Sequence, residues 1–277
     1  MSKIVYIADA LLEDLIGGGE LNDYELCNLL SNAGKDVRKI RSHLVRKQDL
    51  SPDDFYIISN FVNVPRLERE YIQNNCDYVI YEHDHKYLRS RNPALYEDYK
   101  APPDQIINVD FYKKAKMVFC QSSFHESIIK KNIGIKNIKN ISGNLWSEDS
   151  LSVMRILSRR EKRDCYSILN STIGHKNTRE TAFYCEQKKY NYDPVSSNNY
   201  QEFLSLLSNN NKFMFFPKTP ETLSRVVVEA RMMNMKVVTN RRVGASYEPW
   251  FELKGEDLID LMLKKRTQVR DMILELM

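Results

Sequence analysis

Short apolar runs bounded by polar turns alternate with longer amphipathic stretches along this chain of 277 residues. In the first half, Ile4–Ala8, Val37–Ile40, Phe55–Ser59, Tyr78–Tyr81, Met117–Cys120 and Ile138–Ile141 predict strands. Glu20–Ala33, Arg66–Asn74, Pro103–Ala115 and Ser123–Lys131 predict helices between them. Strands that alternate with helices pair in parallel through right-handed crossovers, which implies a doubly wound α/β sheet.

A second alternating unit follows a charged stretch at Ser147–Asp164. It reads as strand Tyr166–Asn170, helix Thr178–Lys189, a short strand near Pro194–Val195 and helix Asn199–Leu207. Then come strand Phe213–Phe216, helix Ser224–Asn234, strand Val237–Thr239 and an amphipathic tail from Glu256 to Met277. The expected division is a Rossmann-like domain over 1–147, a linker over 148–164, a compact second domain over 165–255 and a C-terminal helix over 256–277. In open sheets of this kind, ligands sit beyond the carboxyl ends of the strands. Gly17–Glu20, His83, Lys176 and Glu221 each follow a predicted strand directly, so one cleft shared by two domains is expected.

Composition is that of an ordinary folded protein, 42% hydrophobic and 28% charged. The net charge of +4 is uneven: basic and acidic residues balance up to Leu145, and the whole excess falls in 146–277. Arg155, Arg159, Arg160, Lys162, Arg163, Lys176 and Arg179 stand against only Glu161 and Asp164 in that part of the chain. Such an excess attracts phosphates or an anionic surface, or is a solvated linker. Apart from Tyr166 it lacks interleaved aromatics for base stacking, so nucleic acid is not an expected partner. Five scattered cysteines with no Cys-x-x-Cys pair fit reduced thiols in a cytosol. No apolar stretch approaches the roughly 20 residues that span a bilayer. The tail carries Leu258, Ile259, Leu261, Met262, Val269, Met272, Ile273 and Leu276 beside Lys264, Lys265, Arg266 and Arg270. It either lies on anionic lipid as a peripheral contact or packs its apolar face on the protein.

The segment with most chemical content is Pro217-Lys-Thr-Pro-Glu221-Thr-Leu-Ser-Arg-Val-Val-Val-Glu229-Ala. Two prolines end the preceding strand, and Thr222 or Ser224 can cap a helix. Glu221 then precedes a helix start, where free amides and a partial positive charge suit a phosphate. Glu229 lies inside that helix among valines. Carboxylates on either side of the turn can accept hydrogen bonds from sugar hydroxyls.

This Glu-x7-Glu pattern, followed by Ala230 and the strand Lys236-Val-Val-Thr-Asn, resembles the donor-site signature of retaining GT-B glycosyltransferases of the family 4 type. Gly17-Gly18-Gly19-Glu20 is similar to that family's glycine-rich loop after the first strand. Gly174-His175-Lys176-Asn177 resembles its phosphate-binding lysine segment. The resemblance implies that Glu229 holds the ribose hydroxyls and that Glu221 touches the transferred sugar or steadies the leaving group. The amides of Leu223, Ser224 and Arg225 and the ammonium of Lys176 would hold the diphosphate. Two positions depart from the pattern: Ser224 stands where the family has a glycine, and no arginine precedes Lys176, leaving Arg179 or Arg225 to substitute. The run Gly17–Gly19 permits positive φ and close backbone approach to a ligand, with Gly18 and Gly19 the expected donor-binding positions; Leu21 and Asn22 rule out a dinucleotide fingerprint. In Glu82-His83-Asp84-His85, either His83 or Asp84 could orient an acceptor hydroxyl. His83 and His85 alternate and so face opposite ways, and no Cys/His cluster completes a metal site. A metal-independent, retaining transfer from a nucleoside-diphosphate sugar to a glycan, lipid or other acceptor is therefore expected, without metal or other cofactor. The alternative is a non-catalytic protein of the same fold that binds a nucleotide or glycan.

Overall fold

The computed structural model describes residues 3–14 and 17–277. They form two compact units, Met1–Leu145 with Lys265–Met277, and Trp146–Lys264.

The first unit contains β1 (Ile4–Ala8), α1 (Gly18–Asn32), β2 (Val37–Arg41), β3 (Phe55–Ile58), α2 (Arg66–Asn75), β4 (Asp77–Tyr81), α3 (Val109–Lys114), β5 (Met117–Cys120), α4 (Ser123–Ile133) and β6 (Ile138–Asn140). Its strands pair in parallel in the order β2-β1-β3-β4-β5-β6. Alternate side chains of each central strand feed two separate cores. Val5, Ile7, Tyr56, Ile58, Tyr78, Ile80 and Val118 pack on one face. Ile4, Tyr6, Phe55, Ile57, Val79, Tyr81 and Phe119 pack on the other. A strand covered on both sides has no polar face to show, which is why these runs are unbroken apolar segments. Ser122 starts α4 by accepting a hydrogen bond from the amide of His125, and Gly134, at φ +60°, ends it.

The helix expected over Pro103–Ala115 is broken. A 3-10 turn spans Pro103–Gln105, Ile106 bridges Leu88, the amide of Ile107 donates to Tyr87 O at 2.8 Å, and α3 starts only at Val109. Pairing with the segment after β4 outweighs helix propensity here, and Asn108, at φ +58°, makes the join.

The second unit contains α5 (Glu148–Ser158), β7 (Arg163–Leu169), α6 (Thr178–Gln187), β8 (Tyr192–Val195), α7 (Tyr200–Leu207), β9 (Asn210–Phe215), α8 (Arg225–Met232), β10 (Lys236–Thr239) and the first turns of α9 (Gly255–Leu274). Its parallel sheet runs β10-β9-β7-β8. The segment 148–164, expected as a linker, is instead a capped helix leading into a strand. Ser147 Oγ accepts from the amide of Ser150, and Leu151, Met154 and Leu157 are buried in the core of this unit. Every third or fourth position of α5 is apolar, which the density of charge between them conceals.

The tail expected as a helix over 256–277 is α9, Gly255–Leu274. Leu258, Ile259 and Met262 of α9 belong to the core of the second unit. Val269 and Ile273 belong to a core of the first. Leu258, Ile259, Met262, Val269 and Ile273 of this helix are each fully or almost fully buried. Arg266 adds a buried pair with Glu25 at 2.7 Å. Among the described residues, no helix is long and apolar enough to cross a membrane.

Candidate functional site

In the second unit, the chain leaving β9 is pinned at each step. Asn177 Nδ2 donates to Phe216 O at 2.8 Å and Asn240 Nδ2 to Pro217 O at 3.0 Å. The amide of Glu221 donates to Arg242 O, the amide of Gly244 returns to Glu221 O, and the amide of Ala245 donates to Leu223 O. This short parallel bridge fixes where the Glu221 side chain starts. Lys176 arrives from the end of β7 on the 3-10 turn Gly174–Lys176. Its Nζ donates to both oxygens of Glu221, at 2.9 and 3.1 Å, and lies 5.9 Å from the centre of the Phe215 ring. Two residues singled out separately in the sequence are thus one ion pair, with side chains 27% and 14% exposed. Partial desolvation, with Lys176 alongside, pushes the neighbouring His175 imidazole below its ordinary value.

Past Glu221 the turn narrows. Leu223 buries its side chain in the core and can offer a ligand only backbone. Ser224 takes φ +76°, a conformation that costs a residue with a Cβ about 1 kcal/mol or more. Its hydroxyl is buried, makes no capping bond to α8 and has no hydrogen-bond partner. The backbone geometry is thus that of the glycine expected at this place, although a serine supplies it.

Glu229 is 2% exposed. Its Oε1 accepts from Trp146 Nε1 at 2.9 Å and from the Tyr200 hydroxyl at 2.6 Å, and Arg225 Nε lies 3.4 Å away. None of these contacts falls on Oε2. The Arg225 guanidinium stacks over the Trp146 ring at 4.5 Å. Burial, and then the charge of Glu229, push the Tyr200 phenol far above its ordinary value, so it remains a donor. Arg225, considered as a replacement phosphate cation, is therefore committed to Glu229 and Trp146. Arg179 stands exposed at the start of α6.

In the first unit, the glycine run differs from expectation. Gly17 is extended, at φ −132°, and Gly18 and Gly19 already form the first turn of α1, so none of the three uses the left-handed region. A Cβ at Gly17 would meet Glu20 Oε2 at 2.3 Å, whereas one at Gly19 would meet nothing within 4 Å. The open backbone at Gly19 keeps helix amides approachable, but through absence of a side chain rather than through positive φ.

His83 follows β4 and is gripped on both ring nitrogens. Nε2 donates to Asp23 Oδ1 at 2.5 Å, and Nδ1 accepts from Gln121 Nε2 at 2.6 Å. Ser59 Oγ in turn donates to Asp23 Oδ2 at 2.5 Å. This chain of hydrogen bonds fixes the orientation of the ring. Asp84, the other candidate for orienting a hydroxyl, is ion-paired with Lys86 and Arg91. Burial would lift its carboxyl, but the Lys86 and Arg91 cations beside it prevail and hold it far below the usual carboxylate range. His85 points elsewhere, with Nδ1 on the Tyr87 hydroxyl at 2.9 Å and its ring 5.2 Å from that of His125. Among the described residues, no group of three or more His, Cys, Asp or Glu is placed to hold a metal ion.

The basic stretch is largely neutralised within its own unit. Arg155 pairs with Glu256 and Asp260, Arg159 with Glu256 and Arg163 with Asp193. Lys162 donates to the carbonyl of Leu157 at 2.7 Å. Only Lys176 of that group turns to the loop of Glu221.

No family model matches the chain, and no curated protein matches it. Solved structures do. Anabaena Alr3699/HepE in complex with UDP and glucose is 14% identical, with 98% of this chain and 91% of that chain covered and a TM-score of 0.53. An alpha-glucosyltransferase in complex with UDP and a 13-mer DNA containing a HMU base is 12% identical, with 97% and 90% covered and a TM-score of 0.51. WaaG, a glycosyltransferase involved in lipopolysaccharide biosynthesis, is 11% identical, with 96% and 91% covered and a TM-score of 0.52.

The fold is of the GT-B type.

The likeness spans nearly the whole chain, so both units of this GT-B protein are accounted for. Sequence reasoning missed Trp146 and Tyr200, the two aromatic donors to Glu229. Trp146 lies 83 positions from Glu229 and Tyr200 lies 29, and no local spacing connects them. The one available signal was their chemistry: a buried Trp or Tyr needs an acceptor for its N–H or O–H.

Proposed function

We propose that this protein is a glycosyltransferase that moves a sugar from a nucleoside diphosphate to an acceptor hydroxyl, with retention of configuration and without a metal. The observation that carries the reading is the Lys176–Glu221 pair on the loops after β7 and β9, at 2.9 and 3.1 Å, with the Ser224 turn and the buried Glu229 following Glu221 in the next segment of chain. The solved structures of the same fold include one with UDP and glucose and one with UDP and DNA, which supports a nucleoside diphosphate as the ligand class.

In this reading each group has one task. Glu229 presents Oε2 to a ribose hydroxyl, with Oε1 locked by Trp146, Tyr200 and Arg225. The amides at the start of α8 and the Lys176 ammonium carry the diphosphate. As the glycosidic bond breaks, negative charge grows on the leaving phosphate, and Lys176 stabilises it in place of a divalent cation. Glu221 accepts hydroxyl hydrogens of the transferred sugar. No side chain acts as a covalent nucleophile; the protein contributes position and charge. On the first unit, His83 orients an acceptor hydroxyl, giving up its contact with Gln121 to do so. The acceptor class is a glycan, lipid or other hydroxyl compound. A cytoplasmic location with peripheral contact to a membrane would suit a lipid acceptor.

A second reading, binding without turnover, draws on one observation: both ring nitrogens of His83 are already engaged, and the Asp84 carboxylate is paired with Lys86 and Arg91. Incubation of the full chain with UDP-, GDP- and ADP-sugars in chelator separates the two. Release of nucleoside diphosphate, with a product or hydrolysed sugar of unchanged anomeric configuration, supports transfer. Binding without any release supports the second reading, and an absolute need for divalent metal overturns the role of Lys176.

A further inference from the structure

We propose that Lys176 and Glu221 work as an exchangeable pair, so that recognition of the sugar is conditional on the diphosphate. The inference rests on the donor-site reading above and concerns the order in which that site assembles.

Lys176 Nζ holds both oxygens of Glu221, at 2.9 and 3.1 Å. An ammonium has three protons, and two of them are spent on this carboxylate. The carboxylate has its two oxygens on one cation. As it stands, each side chain is occupied by the other, and neither can give its full strength to a ligand. A diphosphate carries more charge than a carboxylate and offers several oxygens, so it competes for Lys176 on favourable terms. Once the lysine turns to phosphate, Glu221 is left as an acceptor with no donor, at the mouth of the same turn. Sugar hydroxyls are the donors that then satisfy it.

The surroundings suit a pair that changes partners. Both side chains remain partly exposed, 27% and 14%, so neither is sealed in a core. Their backbones do not need to move. Lys176 is set by the 3-10 turn after β7, and Glu221 is held on both sides by the Arg242 and Gly244 backbone. Lys176 carries its ammonium on a flexible four-carbon stem, with Nζ 5.9 Å from the centre of the Phe215 ring, so its head can swing without a backbone shift. Glu229, by contrast, is buried with three partners on one oxygen and is built to stay. The site therefore combines a fixed carboxylate for the nucleoside with a releasable one for the sugar.

The consequence is unusual for the loss of a binding-site carboxylate. Glu221→Gln frees Lys176 and so tightens the bare nucleoside diphosphate. A partly exposed ion pair of this kind accounts for about a two- to fivefold change in affinity. The same substitution reduces the additional affinity that an attached sugar provides. Removal of a negative charge near the diphosphate could tighten binding by itself, and a second background distinguishes the two causes. In Lys176→Met there is no lysine to release, so Glu221→Gln brings no gain there, whereas simple charge repulsion would bring the same gain.

The test is isothermal calorimetry of the full chain with UDP and with UDP-glucose, on the native protein, Glu221→Gln, Lys176→Met and the double variant. GDP and ADP with their glucose conjugates replace the uridine pair if UDP does not bind. Exchange predicts tighter diphosphate binding in Glu221→Gln alone, a smaller sugar increment in that variant, and a non-additive double variant. Unchanged or weaker diphosphate binding in Glu221→Gln, or additive effects, overturns the exchange while leaving the donor site intact. Absence of binding by every nucleotide to the native protein removes the donor-site reading itself.

Discussion

Glu229→Gln probes the fixed end of the site, because it keeps the shape of the side chain and changes only its charge. In the native site Oε1 accepts from Trp146 and Tyr200, at 2.9 and 2.6 Å, and Oε2 is the atom that the proposed function assigns to ribose. A glutamine can leave its carbonyl oxygen facing Trp146 and Tyr200, which places an amide nitrogen where Oε2 was. The contact to ribose then falls from a charge-assisted hydrogen bond to a neutral one. That difference is about 1 kcal/mol, or about a fivefold loss of nucleotide affinity. Arg225 loses its counter-ion but keeps its stacking on Trp146 at 4.5 Å, so the fold should survive with a lower melting temperature. Glu229→Ala is a poorer probe, since it strands three buried donors at about 1–3 kcal/mol each and risks unfolding the unit. Calorimetry with a nucleoside diphosphate and its 2′-deoxy and 3′-deoxy forms reads the effect. Removing the sugar hydroxyl that faces Oε2 should cost affinity in the native protein and little in Glu229→Gln. Equal affinity of native and Gln variants for the full nucleotide would refute the assignment of Oε2.

Three further outcomes follow from other parts of the structure. Ser224→Gly relieves a residue held at φ +76° and should raise stability by up to about 1 kcal/mol in denaturant titration, whereas Ser224→Val should lower it. Arg266→Ala strands Glu25 in a buried pair of 2.7 Å and should cost about 3–5 kcal/mol, seen as a lower denaturant midpoint. Burial pushes His85 down to about 4, so the folded protein keeps it neutral while the unfolded chain protonates near 6.5. The unfolded state then binds more protons between these values. Stability is complete above about pH 6.5 and falls by about 3 kcal/mol as pH drops towards 4. His125, also pushed down by burial, adds to the same slope, so urea midpoints at several pH values should show a shallower dependence in His85→Leu.

Much of the fold is legible in the chain because every central strand is covered on both faces. Ile4–Ala8 and Phe55–Ile58 are apolar at each position, and such runs stand out against helices whose polar face recurs. Where a segment obeys a tertiary partner, legibility fails. Ile106 and Ile107 pair with the chain after β4, and nothing local to Pro103–Ala115 announces that. Residues 148–164 read as a linker because charge is dense there, yet the charges of Arg155 and Arg159 are matched by acids about a hundred positions later, on α9. The site shows the same division. Glu221 and Lys176 are visible from their places after strands, and the structure joins them. Asp84 looks available in sequence only because Lys86 and Arg91 reach it through space. Gly18 and Gly19 look like a loop because a glycine run rarely opens a helix.

The most direct measurement is a thermal-shift and calorimetric panel of UDP-, GDP- and ADP-sugars on the full chain in chelator, with Lys176→Met alongside. A ligand that binds only the folded state must raise the melting temperature by mass action. The account predicts that one nucleotide class raises it in the native protein and that Lys176→Met loses most of that shift. No shift with any of them, or an equal shift in Lys176→Met, would contradict it.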